Sequence, residues 1–162
     1  MKRLLVVVFA LALMSSYAFA QASADGEGMA QAEIIQVLKI TKEADLSFGK
    51  IVQPTAGGSV SVAAVDGALN AGTLTHLDGE ARGEFLVEGQ KDTDVSVSVT
   101  PNVTLNGNPS GTMSATLNTS PASTLRLDAS GEGDVFVGGV LTVGNSQPVG
   151  AYEADFTVTV SY

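Results

Sequence analysis

The chain of 162 residues has no cysteine and no tryptophan, a single histidine, and only 6% aromatic residues. Without cysteine there can be no disulfide, no thiolate nucleophile and no Cys-ligated zinc site, so stability has to come from packing alone. With His76 as the one histidine, no imidazole pair can hold a metal, and any Ser/His/Asp arrangement has a single base to draw on. The Gly-x-Ser-x-Gly nucleophile elbow is absent too. Positive charge is scarce: Lys+Arg number 8 against Asp+Glu 17, for a formal net charge of -9. Such a surface repels phosphate backbones and anionic membrane faces, which argues against nucleic acid as a partner and suits a soluble exported protein.

Apolar residues form one long run, near the start. Lys2 and Arg3 precede Leu4 to Leu13 (LLVVVFALAL), and Ala18-Phe19-Ala20 supplies a small-x-small cleavage site. This is the pattern of a secretory signal peptide over residues 1–20, too short to span a bilayer comfortably. The expectation is an exported protein of the periplasm, cell surface or extracellular space, with no membrane span in its mature form. Residues 21–31 (QASADGEGMAQ) are small, polar and acidic, with little to bury, and read as a flexible N-terminal extension. The remaining residues, 32–162, are enough for one domain: a chain of roughly 140 residues buries about 68–70% of its unfolded surface.

What fills that domain is valine, threonine, serine and alanine in short alternating runs, punctuated by 18 glycines. The clearest run is the last: from Gly150, the residues Tyr152, Ala154, Phe156, Val158, Val160 and Tyr162 fall at every second position, with Glu153, Asp155, Thr157, Thr159 and Ser161 between them. A period of two marks a strand with one buried face, and these residue types suit a pleated surface. Gly150, Tyr152, Phe156, Val158, Val160 and Tyr162 are therefore the expected structural C-terminal strand, paired with segments far upstream. Further strands are expected at Ala32 to Thr41, around Leu46 to Ile51, at Ser59 to Val62, Glu84 to Glu88 and Val95 to Val99, and within Thr112 to Leu117. Asn106-Gly107 reads as the tight turn of a hairpin, and Gly138-Gly139 as a bend between Val135-Phe136-Val137 and Val140 to Val143. About nine or ten short strands at this spacing indicate an all-β sandwich or barrel.

Chemistry-bearing patterns are few. Asp128, Ser130 and Glu132, with Gly133 sixth, open like a calcium loop, but the closing glutamate would fall at Gly139. An ordinary polar turn is the better reading. His76, beside Thr75, reads as a surface residue of a loop, and the pairs Asp92/Asp94 and Glu80/Glu84 as solvated carboxylates near turns. The expectation is no catalytic residue, no metal and no cofactor, hence no enzyme.

Several stretches taken together carry a family likeness: LSFGKIV (Leu46 to Val52), Gly57-Gly58 into SVSV, GEFLVEG (Gly83 to Gly89), SGTM (Ser110 to Met113), LDASGEGDVFVGGVLTV (Leu127 to Val143) and the terminal GAYEADFTVTVSY. Their order and spacing resemble an exported bacterial family known as domain of unknown function 4402 (DUF4402). The resemblance implies an immunoglobulin-like antiparallel β-sandwich related to chaperone-usher pilus subunits and spore-coat-like proteins. It also implies a structural or adhesin-like role at the cell surface, with other surface or fimbrial subunits or a periplasmic chaperone as partners. The alternative is a free-standing secreted or periplasmic binding module. Pilus subunits end in alternating apolar residues closed by a tyrosine, with a glycine twelve positions before it, and Gly150 and Tyr162 have that separation.

Overall fold

A computed structural model describes residues 24–162, so the leader assigned to residues 1–20 lies outside the described residues. Residues 24–33 carry no regular structure and are exposed along their length. All strands belong to the unit Ile34–Tyr162, in chain order β1 (Lys39–Ala44), β2 (Ser47–Phe48), β3 (Gly58–Val62), β4 (Leu69–Asn70), β5 (Glu80–Ala81), β6 (Gly83–Glu88), β7 (Asp94–Val99), β8 (Asn102–Asn108), β9 (Thr112–Ser120), β10 (Thr124–Arg126), β11 (Glu132–Val143), β12 (Ala151–Glu153) and β13 (Val158–Ser161). The described residues hold no helix. The fold is all-β and antiparallel, as the alternation predicts.

One sheet runs β1-β6-β11-β9-β8-β12, with β3 on β11 and β4 on β3; a smaller one runs β10-β7-β13, and β2 pairs with β5. The twelve-residue β11 organises the large sheet. Its first half, Glu132 to Val137, pairs with β6, its second half, Gly139 to Val143, pairs with β3, and β9 runs along the other edge from Phe136 to Thr142. Alternation along β11 sends Val135, Val137, Leu141 and Val143 inward, where they meet Val60 of β3, Val87 of β6 and Leu117 of β9. The small sheet closes part of this surface with Val95, Val97 and Leu125. Side chains from both sheets interdigitate in two adjoining clusters, which is how a sandwich core forms.

The structure departs from the sequence reading at several places. Gly138 and Gly139 make no bend; both lie inside β11. They are small because neighbours press on them: a Cβ on Gly138 would sit 2.4 Å from the Ala64 nitrogen and the Val62 carbonyl oxygen, and one on Gly139 would sit 2.6 Å from the Thr116 carbonyl oxygen. Asn106-Gly107 is likewise no turn but the body of β8, and the hairpin turns three residues later at Pro109 to Gly111. Gly107 is needed because the Tyr152 ring lies against it, 2.5 Å from where its Cβ would be. The first strand begins at Lys39 rather than near Ala32, and the Leu46 to Ile51 strand contracts to Ser47–Phe48. Strand length follows the available partners, and β1 has only β6 to pair with.

The terminal stretch departs too. Period two persists from Tyr152 to Val160, but the chain pairs first with β8 through β12, crosses without strand pairing over Ala154 to Thr157, and then pairs with β7 through β13. Phe156 sits in that crossing, edge-on to Phe85 with ring centroids 6.1 Å apart. A buried side chain contributes about 1.5–3 kcal/mol, and Val158 touches both clusters. Val158→Asp should therefore cost about 3 kcal/mol, because it loses contact and brings an unpaired carboxylate to the core. Thr159→Asp, on the exposed side, should stay within about 0.5 kcal/mol of the parent. Urea unfolding midpoints read the difference, and equal shifts would refute the assignment of faces.

Candidate functional site

The functional question centres on the C-terminal strand, because it occupies a sheet edge. β13 pairs with β7 in a register running from Val158 opposite Val99 to Ser161 opposite Ser96, and among the described residues no strand lies on its other side. Its inward side chains Val158 and Val160 are only half-buried, whereas Val95 and Val97 of the adjoining β7 are buried. A third strand of a three-stranded sheet has one row of backbone N–H and C=O groups turned outward, and such a row is a template for another strand. What sets this edge is the crossing at Ala154 to Thr157, which carries the chain from the large sheet to the small one. Of the six residues assigned to the terminal strand, Phe156, Val158 and Val160 face the core beside this edge. Gly150 and Tyr152 serve the large sheet, and Tyr162 ends the chain at the edge itself.

Tyr152 fixes the preceding loop. Its hydroxyl donates to the Pro148 carbonyl at 2.7 Å, and it accepts from Gln147 Nε2 at 2.9 Å, which also donates to the Thr112 carbonyl at 3.1 Å. Opposite this loop runs the segment 46–54, tied across by Gln53 Nε2 to the Gln147 carbonyl at 3.0 Å and by the Ser146 amide to the Pro54 carbonyl at 2.9 Å. Between the two segments lies a cleft of about 490 Å³ whose apolar lining includes Leu105, Met113, Leu141 and Val143. That volume falls within the range of small-molecule pockets, about 300–1,000 Å³. Phe156 packs on the same cluster that supplies these lining residues.

The other sequence candidates resolve into structural roles. Asp128 Oδ1 accepts the amides of Ser130 at 2.8 Å and Glu132 at 2.9 Å, closing the turn between β10 and β11. The Glu132 amide, followed by that of Ser130, holds the Asp128 carboxyl below the ordinary carboxylate range. The carboxylate is thus occupied by its own turn, and the described residues contain no group of three or more His, Cys, Asp or Glu side chains placed to share a metal.

His76 is not the surface residue its loop suggests. Its side chain is 6% exposed and its Nε2 lies 3.0 Å from the Phe48 carbonyl, with Glu80 Oε2 at 3.8 Å. Gly49 gives it room, since a Cβ there would meet Nε2 at 2.4 Å. The histidine therefore pins β2 to the loop before β5, a contact that a period-two pattern does not reveal. Each carboxylate pair gives one member to an arginine: Asp94 to Arg126 at 3.1 Å, Glu84 to Arg82 at 3.0 Å. Arg82 also stacks over the Phe136 ring, 3.6 Å from its centroid.

An antiparallel β-sandwich with an unpaired C-terminal edge strand and a cleft at one side of its core is the class these features define. Within that class the chain belongs to the family described as domain of unknown function (DUF4402), whose model matches residues 38–162. No curated protein and no solved structure compared with the chain matches it.

The Asp128 turn has a pH signature. A carboxyl whose folded-state pKa is depressed contributes stability that is complete above its unfolded pKa of about 3.9 and is lost as pH falls through the lower folded value. Asp128→Asn keeps an amide oxygen as acceptor but cannot titrate. Melting temperatures measured between about pH 5 and pH 2.5 should therefore fall less steeply for Asp128→Asn than for the parent, and identical slopes would show that the turn contributes nothing to acid sensitivity.

Proposed function

We propose that the protein is a non-enzymatic, exported structural or adhesin-like cell-surface subunit, built on an immunoglobulin-like sandwich related to pilus subunits. The observation that carries this reading is the open edge of β13, with half-buried Val158 and Val160 beside an unpaired backbone row. A strand supplied by another subunit would bury those two side chains fully and satisfy that row, which is recognition by strand addition. The signal-peptide pattern of residues 1–20 and the acidic surface fit export. Partners of this reading are other surface or fimbrial subunits, or a periplasmic chaperone.

Residues 21–31 are a poor donor for that edge. Their alternate positions carry Ala22, Ala24, Gly26, Gly28 and Ala30, which bury little area, while fixing backbone in a strand costs about 1–2 kcal/mol per residue. The purified protein starting at Gln21 is therefore expected to sediment as a monomer, with a melting temperature that barely changes when residues 21–31 are deleted. Detergent-resistant ladders on unboiled gels that vanish with the deletion would assign the donor role to that segment after all. Surface exposure itself is read by treating intact cells with protease: digestion of this chain, cleaved before Gln21, supports the proposal. Retention of a chain with its leader intact inside the cell refutes it.

A second reading, a free-standing secreted or periplasmic binding module, is favoured by the cleft between segments 46–54 and 147–152. It expects saturable uptake of a small apolar fluorophore, abolished by Leu105→Arg in a protein that still folds.

A further inference from the structure

The cleft between segments 46–54 and 147–152 is lined by the core itself on one side. Leu141 and Val143 are 2% and 3% exposed, while Leu105 and Met113 beside them are half-buried and packed on the same cluster. Val149, in the loop that forms one wall, is 70% exposed. Apolar surface left open in a concavity favours an apolar occupant, and Met113 adds an unbranched side chain that adapts to the shape it meets. The walls are held at a fixed spacing by Gln53 to Gln147 and Ser146 to Pro54, so the site is formed before any ligand arrives.

Charge is nearly absent from this lining. In a chain with Asp+Glu 17, no carboxylate borders the cleft, and its one charged residue, Lys50, is already paired with Asp78 at 3.0 Å. An ion taken out of water needs an opposite charge, and the cleft offers none to a cation and only an engaged one to an anion. The occupant it suits is neutral. The polar atoms specify it further. Gln147 Nε2 donates to the Thr112 carbonyl at 3.1 Å, and Gln53 Nε2 to the Gln147 carbonyl at 3.0 Å. A carbonyl oxygen can only accept, so both side-chain amides are oriented with their N–H groups on the protein. What each has left is Oε1, and among the described residues neither Oε1 accepts a hydrogen bond. Gly144 keeps one of them uncovered, since a Cβ there would lie 2.9 Å from Gln147 Oε1. The complement of a spare acceptor is a donor on the ligand. Aliphatic amines are cations at neutral pH, which leaves a hydroxyl as the simplest neutral donor.

We infer that the cleft is a binding site for a small neutral alcohol with an apolar body, the body lying on Leu105, Met113, Leu141 and Val143 and the hydroxyl donating to Oε1 of Gln53 or Gln147. The inference rests on the binding-module reading of the cleft and names its ligand class. An acid of the same length would bring a carboxylate without a free partner, and an ether would leave both amide oxygens without a donor.

The test uses the full chain, isotope-labelled at its methionine methyl groups, with n-octanol, its isomer heptyl methyl ether and octanoate as probes. Met113 reports on the cleft, its signal assigned by its loss in Met113→Leu, and Met29, 83% exposed and outside the strands, is the control. Octanol should shift the Met113 signal saturably and leave that of Met29 in place. The ether should bind about fivefold more weakly, the scale of one neutral hydrogen bond, and octanoate more weakly still. Replacing both amides, by Gln53→Leu with Gln147→Leu, should abolish the preference for alcohol over ether while octanol still binds, and an undiminished preference would overturn the assignment of the acceptors. Equal affinity of alcohol and ether for the parent chain, a comparison that needs no variant, would overturn the role of the hydroxyl while leaving an apolar site. Octanoate bound as tightly as octanol would overturn the neutrality of the ligand. No shift of Met113 with any of the three probes would overturn the binding-module reading of the cleft together with this inference.

Discussion

Everything in the sandwich depends on β11 sharing one of its edges between two strands. Its first half holds β6 and its second half holds β3, so a single strand of twelve residues brings together segments from residues 58–62, 83–88 and 112–120. The handover falls at Gly138 and Gly139. There the incoming backbone of Val62 to Ala64 on one face and the Thr116–Leu117 stretch on the other come closer than any side chain would permit. Val135 and Val137 on one side of the handover, and Leu141 and Val143 on the other, then point into one core with at most 3% of their surface exposed. A larger residue at either glycine would have to push backbone rather than a flexible side chain, which is why the small pair sits where a strand would otherwise prefer β-branched residues.

Period two told correctly which side chains face inward, and it did so almost everywhere: Val60 and Val62, Val95 and Val97, and the whole series from Tyr152 to Val160 follow it. It carries no information on which neighbour a strand meets, and the departures come from there. Asn106-Gly107 has the composition of a hairpin turn, yet Gly107 lies in a strand and is small on account of both the nearby Ser110 carbonyl and Tyr152, some forty-five positions away in sequence. The terminal run looks like one strand because its alternation is unbroken, although its pairing is broken at Ala154 to Thr157 as the chain changes sheets. His76 is illegible for the same reason: its burial is set by Gly49 and the Phe48 carbonyl, which a local pattern cannot see. Of the site, the inward residues of the terminal strand were readable; its edge position and the cleft were not, since each depends on a long-range pairing.

Charge is unevenly placed on the outer strands of the two principal sheets. β1 carries Lys39, Lys42 and Glu43, β12 carries Glu153, and β10 carries Arg126. Charged side chains on an edge strand discourage a second chain from docking there, because pairing would bury or crowd them. β13 carries none, its four residues being Val158, Thr159, Val160 and Ser161, and neither does the two-residue β4, Leu69–Asn70. In a chain with a net charge of -9, a neutral strand at an edge lets two copies approach without carboxylates of the strand itself opposing each other.

An unguarded neutral edge is also a hazard, since it invites pairing with any extended chain. Its shortness tempers this without adding charge. The strand is only four residues long, which limits how much an indiscriminate partner gains from pairing along it. Charge on β1, β10 and β12 sets those strands apart from β13, and this contrast is the physical argument for proposing strand addition at the C-terminal edge.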